Sequence, residues 1–195
     1  MKRVGITGGI GCGKSTVVSE FKKLGINAFV ADNVAAAYYR DPSFLAEIRR
    51  LFGLEVFLPD GSVDKRLIAA RVFADSNMLA ALNALVHPRV MTDFDSFCSQ
   101  HANEPYVLFE SAILFDYGFD ALMDKTVCVY LDLPERINRL RTRDGSSVEQ
   151  IMARVANQMP ADEMMRRADY VILNYEGNPR QRQVAIIDRL LKNNS

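Results

Sequence analysis

The sequence predicts an α/β fold: a parallel sheet wound with helices on both faces, with helical material inserted after its second strand and after its fourth. Three observations point there. Tyr106-Val107-Leu108-Phe109-Glu110 and the run from Lys125 to Leu131 are nearly continuous apolar stretches, as expected of strands covered on both faces. Segments with helical spacing separate five such runs along the chain. The first run, Val4-Gly5-Ile6, leads at once into Gly8-Gly9-Ile10-Gly11-Cys12-Gly13-Lys14-Ser15-Thr16, a glycine-rich loop that opens a helix.

That loop has the pattern G-x-x-x-x-G-K-[ST], which reads as a phosphate cradle. Gly8, Gly9, Gly11 and Gly13 let the backbone approach a phosphate without a Cβ in the way. Successive N–H groups, Cys12 and Thr16 included, turn inward, and the helix from about Lys14 adds its positive end. Lys14 reaches the β and γ oxygens of a nucleotide, and the Ser15 hydroxyl suits Mg²⁺. Lysine at position 14 excludes a dinucleotide fingerprint.

Val17, Val18, Phe21 and Leu24 carry the first helix, and Ile26 to Ala31 is a second strand ending at Asp32. Helices follow at 33–40 and 43–52, divided by Asp41-Pro42. Beyond the turn Pro59-Asp60-Gly61, helices are expected at 64–74, 77–86 and 90–100, with His87-Pro88 breaking the last two apart. Residues 33–103 exceed an ordinary crossover and are expected to form a helical, substrate-side subdomain. After strands three and four come helices at 134–143 and 147–159, then Tyr170-Val171-Ile172-Leu173 as strand five and a closing helix at 179–192.

Of the 195 residues, 49% are apolar, enough for a sizeable core. Lys and Arg total 24, matching 24 Asp and Glu, and this balance argues against nucleic acid as the main partner. Three cysteines without C-x-x-C spacing, beside two histidines, indicate neither a disulfide framework nor a zinc site. With no signal peptide and no apolar run of the ~18 residues that a membrane span needs, the expected setting is the reducing cytoplasm, away from membranes.

Ligands of open parallel sheets bind beyond the carboxyl ends of the strands, which singles out the residues there. Asp32 either accepts the proton of an acceptor hydroxyl or holds Mg²⁺ through water, or it caps a helix starting at Asn33. Arg139 and Arg143 share a helix face with Arg136. They read as cations that embrace the ATP phosphates during transfer, or as a solvated face paired with Glu135 and Asp144. Arg136 and Arg141 read as solvated. Glu110 and Asp116 serve magnesium or substrate, or act as a cap and a surface acid. His87 is a substrate-side candidate or a structural histidine. Asn174 lines a base-binding cleft or simply makes a turn. Cys12 carries a thiol of lowered pKa or is a small residue that fits.

On these residues the chain resembles the dephospho-CoA kinase family along nearly its whole length. The resemblance rests on Gly5-Ile6-Thr7-Gly8-Gly9-Ile10-Gly11 with Gly13-Lys14-Ser15-Thr16, on Ala31-Asp32, Val86-His87-Pro88 and Ile113-Leu114-Phe115-Asp116, and on Arg139-x-x-x-Arg143-Asp144, Asn157-Gln158-Met159 and Ala168-Asp169-Tyr170-Val171-Ile172 with Asn174. It implies a P-loop NTPase three-layer core with a five-stranded parallel sheet, a helical CoA-side subdomain and a mobile lid at about 134–165. It also implies ATP-dependent phosphorylation of the ribose 3′-hydroxyl of dephospho-CoA, with Asp32 as base, Mg²⁺ accompanying ATP, and Arg139 and Arg143 on the lid side; the expected working form is a monomer or weak homo-oligomer. Many members carry Asp-Ala-Asp where this chain has Val30-Ala31-Asp32, so the first acid is missing and any magnesium role for it falls away or passes to Asp32. A shorter acid, Asp116, stands where the family often has glutamate, and Cys12 replaces a common serine. Among readings without this resemblance, another metabolite kinase shares the core, whereas a nucleotide switch is disfavoured by the lack of N-K-x-D and of D-x-x-G after a strand.

Overall fold

A computed structural model describes residues 1–193. Their strands β1 (Lys2–Thr7), β2 (Ala28–Val30), β3 (Tyr106–Glu110), β4 (Lys125–Tyr130) and β5 (Tyr170–Leu173) form a parallel sheet in the order β2-β3-β1-β4-β5. β1 lies at the centre, with Ile6 level with Glu110 of β3 and Thr7 level with Cys128 of β4. The phosphate loop therefore leaves the middle of the sheet at its carboxyl edge, where open parallel sheets bind ligands.

Between and after the strands run α1 (Lys14–Lys23), α2 (Ala31–Tyr38), α3 (Pro42–Phe52), α4 (Lys65–Ala74), α5 (Ser76–Gln100), α6 (Leu133–Asp144), α7 (Val148–Ala156), α8 (Ala161–Arg167) and α9 (Arg180–Asn193). The chain divides into two compact units: Met1–Val30 with the chain from Cys98 onward, and Ala31–Phe97.

In the first unit, alternation along β4 builds a layer on each face of the sheet. Val127 and Val129 pack into a core with Val17, Val18 and Phe21 of α1 and Val184, Ile187 and Leu191 of α9. Cys128, between them, joins Phe115 and Met164 of α8 on the other side. No helix was expected at α8, whose start falls at the end of the stretch read as the lid. The helix expected over 147–159 ends at Ala156, and Pro160 starts the next one from outside its first turn.

The second unit has a core of its own, with Phe44, Ile48 and Phe52 of α3 against Ile68 and Val72 of α4 and Leu79, Leu82 and Val86 of α5. Asp41 and Asp64 cap α3 and α4 by accepting backbone N–H bonds from Ser43 and Arg66. The break expected at His87-Pro88 is absent. α5 continues through Pro88, and its apolar residues remain packed on both sides of that point, with Leu82 and Val86 before it and Val90 and Phe94 buried after it. An interior proline costs about 3 kcal/mol, and burial of a few large side chains at ~1.5–3 kcal/mol each outweighs it.

At the entry to β5, Asp169 staples that strand to β4. Its carboxylate accepts from the Thr126 N–H at 2.8 Å, the Thr126 hydroxyl at 2.9 Å and Lys125 Nζ at 2.8 Å. Partial burial opposes ionisation, but these donors outweigh it and hold the pKa below the usual carboxylate value. A depressed pKa contributes stability above the unfolded value of ~3.9, lost as pH falls through the lower folded value. Asp169→Asn should cost about 1–2 kcal/mol at pH 7 in urea unfolding, at the low end for charged hydrogen bonds because water screens a partly exposed carboxylate. The difference from wild type should shrink below about pH 4.

Candidate active site

Backbone conformation shapes the phosphate loop first. Gly13 has φ 91° and stands ahead of α1, and a Cβ there would fall on the Asn174 amide nitrogen. α1 then begins with no side-chain cap and no acid in its first turn, so its leading N–H groups and its dipole are available to an anion. Lys14 Nζ donates to the Gly8 carbonyl at 2.9 Å, which folds the ammonium back over the loop. The Ser15 and Thr16 side chains are exposed.

Behind the loop stands Asn174, just past β5 and only 1% exposed. Its Nδ2 donates to the Cys12 carbonyl at 2.7 Å, its Oδ1 accepts from Arg180 Nη1 at 2.7 Å, and its own carbonyl accepts from Arg139 Nη2 at 2.9 Å. This corrects the expectation of a cleft-lining asparagine: the amide is buried and occupied at both ends, and it buttresses the loop. Arg139 is half-buried beside Gly13 and Asn174, so one of the two expected arginines does meet the loop. Arg143 is exposed at the end of α6, where Nε and Nη2 grip Asp144 at 2.6 and 2.8 Å.

Arg136 overturns its reading as a solvated residue. It is 4% exposed, and its Nε donates to the Ile10 carbonyl at 2.7 Å. The buried face of α6 carries Arg136 and Leu140, four residues apart, and Leu140 packs against Gly11. Spacing from Leu140 alone was the available signal, masked by the expectation that arginine faces water. Gln158, which no sequence pattern marks, also holds the loop: its Oε1 accepts the Ile10 N–H at 2.8 Å. Next to it, the Met159 N–H donates to Asp116 Oδ1 at 2.7 Å, while Asp116 Oδ2 is enclosed with no partner among the described residues. Asp116 was expected to face substrate; as placed it anchors the turn leading into α8.

Cys12 is 1% exposed, and burial raises its thiol pKa despite the opposing pull of Lys14, so the small, fitting residue is the correct alternative. Glu110 ends β3, beside Ile6.

In the second unit, α2 starts at Ala31, so Asp32 stands inside its first turn and does not cap a helix from Asn33; its side chain is exposed. His87 is half-buried in α5, and burial lowers its pKa, keeping the ring neutral at pH 7. A cavity of about 430 Å³ lies beside α2, lined by Asn33, Ala36 and Ala37 of that helix, by Arg40 beyond its end, and by Ser62 and Lys65.

Comparison with known proteins places the chain's sequence and fold in one family. Residues 2–179 match the family described as CoaE, dephospho-CoA kinase. A dephospho-CoA kinase of Anaeromyxobacter dehalogenans is 37% identical over 177 residues, covering 89% of this chain and 84% of that protein. The crystal structure of TT1252 from Thermus thermophilus superposes with a TM-score of 0.88 at 34% identity, over 98% of this chain and 97% of that one. A dephospho-CoA kinase from Campylobacter jejuni shares the fold, with a TM-score of 0.61 at 21% identity over 97% of each chain.

Gly13→Ala should test the loop's dependence on its backbone. The left-handed conformation costs a side chain ~1–2 kcal/mol, and the new methyl collides with Asn174. ATP affinity measured by calorimetry should fall at least about tenfold, with the second unit's core unaffected in hydrogen exchange.

Proposed function

The chain belongs to the dephospho-CoA kinase family, and from that premise we propose that it moves the γ-phosphoryl group of ATP onto the ribose 3′-hydroxyl of dephospho-CoA, giving coenzyme A and ADP as the last step of coenzyme A synthesis. The observation that carries this reading is the phosphate loop at the sheet's centre, in a chain whose family match extends across both units.

ATP rests its phosphates on Gly8 to Thr16, with Lys14 swinging from the Gly8 carbonyl to the β and γ oxygens. Arg139, held at the loop by Asn174, supplies a second cation for charge that spreads over the transferring group. Asp32 orients the acceptor hydroxyl and takes its proton as the new P–O bond forms and the bond to ADP breaks. Its exposed, side-chain-accessible place in the first turn of α2 supports that role. Beside it, the cavity along α2 with Arg40 and Lys65 suits an anionic acceptor, and apolar Ala36 and Ala37 suit an aliphatic arm.

The residues fit a magnesium ion held mainly by phosphate and water. Ser15 offers an exposed hydroxyl and Asp32 a carboxylate acting through water, and among the described residues no group of three or more His, Cys, Asp or Glu forms a protein cage. When bound with ATP, such an ion neutralises the β and γ oxygens. Residues 134–165 act as the lid, bringing Arg143 to the phosphates and excluding water on closure. His87 is part of the acceptor side. No described helix is long and apolar enough to cross a membrane. A cytoplasmic monomer or weak homo-oligomer is the working form in this reading.

The test is ADP release from Mg·ATP with dephospho-CoA offered beside nucleosides, nucleoside monophosphates and shikimate, with products identified by mass. One added phosphoryl group on dephospho-CoA is expected; transfer to another acceptor alone would point to a different metabolite kinase on the same core. Lys14→Ala should lower turnover at least ~10²-fold. Asp32→Asn should leave ATP affinity intact while turnover collapses; surviving turnover would reduce Asp32 to a first-turn acid of α2.

A further inference from the structure

Arg136 is a charged side chain, buried to 96% of its surface, that nothing in the proposed chemistry uses. Its guanidinium lies against Gly9 of the phosphate loop: a Cβ there would meet Cζ, Nη2 and Nη1 at 2.5, 2.5 and 2.7 Å. Among the described residues no carboxylate pairs with it, and its one hydrogen bond runs from Nε to the Ile10 carbonyl. A buried cation without a counter-charge is costly to desolvate. Arginine stays charged even here.

The Ile10 carbonyl and the Gly11 N–H belong to one peptide group. A cation bonded to the carbonyl polarises that peptide and strengthens the N–H at its other end. On its other side, the Ile10 N–H is fixed by Gln158 Oε1 at 2.8 Å, so the apex of the loop is gripped from two directions. Neither grip uses the Gly11 N–H.

We propose that Arg136 is a positioning residue that sets the loop's preference for highly charged polyphosphates, by presenting a fixed buried charge through the Ile10–Gly11 peptide. This rests on the ATP-binding reading above. A brace that only shaped the loop would survive a neutral donor to the Ile10 carbonyl; a fixed charge would not, and its loss weakens each nucleotide in proportion to its phosphates.

The test measures the affinity of the full chain for ATP, ADP, AMP and adenosine by calorimetry, for wild type, Arg136→Gln and Arg136→Lys. Arg136→Gln keeps a donor for the Ile10 carbonyl without the charge; it should weaken ATP about tenfold, ADP less, and adenosine less than about twofold. Arg136→Lys should hold ATP within about threefold of wild type. Equal weakening of all four ligands, or unchanged ATP binding in Arg136→Gln, overturns the proposal. Should neither variant fold, Gly9→Ala displaces the flexible guanidinium while keeping it in the chain, and an unaltered ratio of ATP to adenosine affinity overturns the proposal there. Wild type that binds adenosine as tightly as ATP would instead sink the ATP-binding reading itself.

Discussion

A loop that binds anions through its N–H groups must leave part of that set open, the Cys12 and Thr16 N–H groups being bonded within the loop, yet it must be rigid to bind well. This chain meets the constraint by gripping the loop through its carbonyls. Gly8 O accepts from Lys14, Gly9 O from the Cys12 N–H, Ile10 O from Arg136, Cys12 O from Asn174, and Gly13 O from the N–H groups of Thr16 and Val17. The donors come from α6, from the loop after β5 and from α1, so three separate parts of the first unit must be in place before the loop has its shape. Rigidity of this kind lowers the ordering cost at binding.

Much of the fold was legible because it rests on local patterns. β3 and β5 match their expected limits residue for residue, and α1 starts at Lys14 as the motif requires. Errors arose where tertiary packing overrode a local signal. Pro88 ought to end a helix, but the apolar residues before and after it share burial and α5 runs through. Asp32 ought to precede a helix, but α2 begins one residue earlier.

At the site, the motif disclosed which residues cradle phosphate but not which ones cradle the motif. Asn174, Gln158 and Arg136 act through single long-range hydrogen bonds, and no periodicity in a sequence announces a bond between residues more than a hundred positions apart. Charge misled most of all. Arginine is mostly exposed in proteins, and that expectation hides Arg136, which the structure buries against the Ile10 carbonyl.

All three cysteines are buried in the native fold, two of them on opposite sides of the sheet's central strands. Burial raises the Cys12 thiol and pushes that of Cys128 up to about 12, so neither is a thiolate at neutral pH. Alkylating reagents and peroxide attack thiolates, and they reach these sulfurs only when the surrounding layers part. The rate at which each cysteine is modified is thus a clock for local opening: Cys12 times the loosening of the phosphate loop and Cys128 the separation of α8 from the sheet, readable by mass spectrometry without introducing any label site.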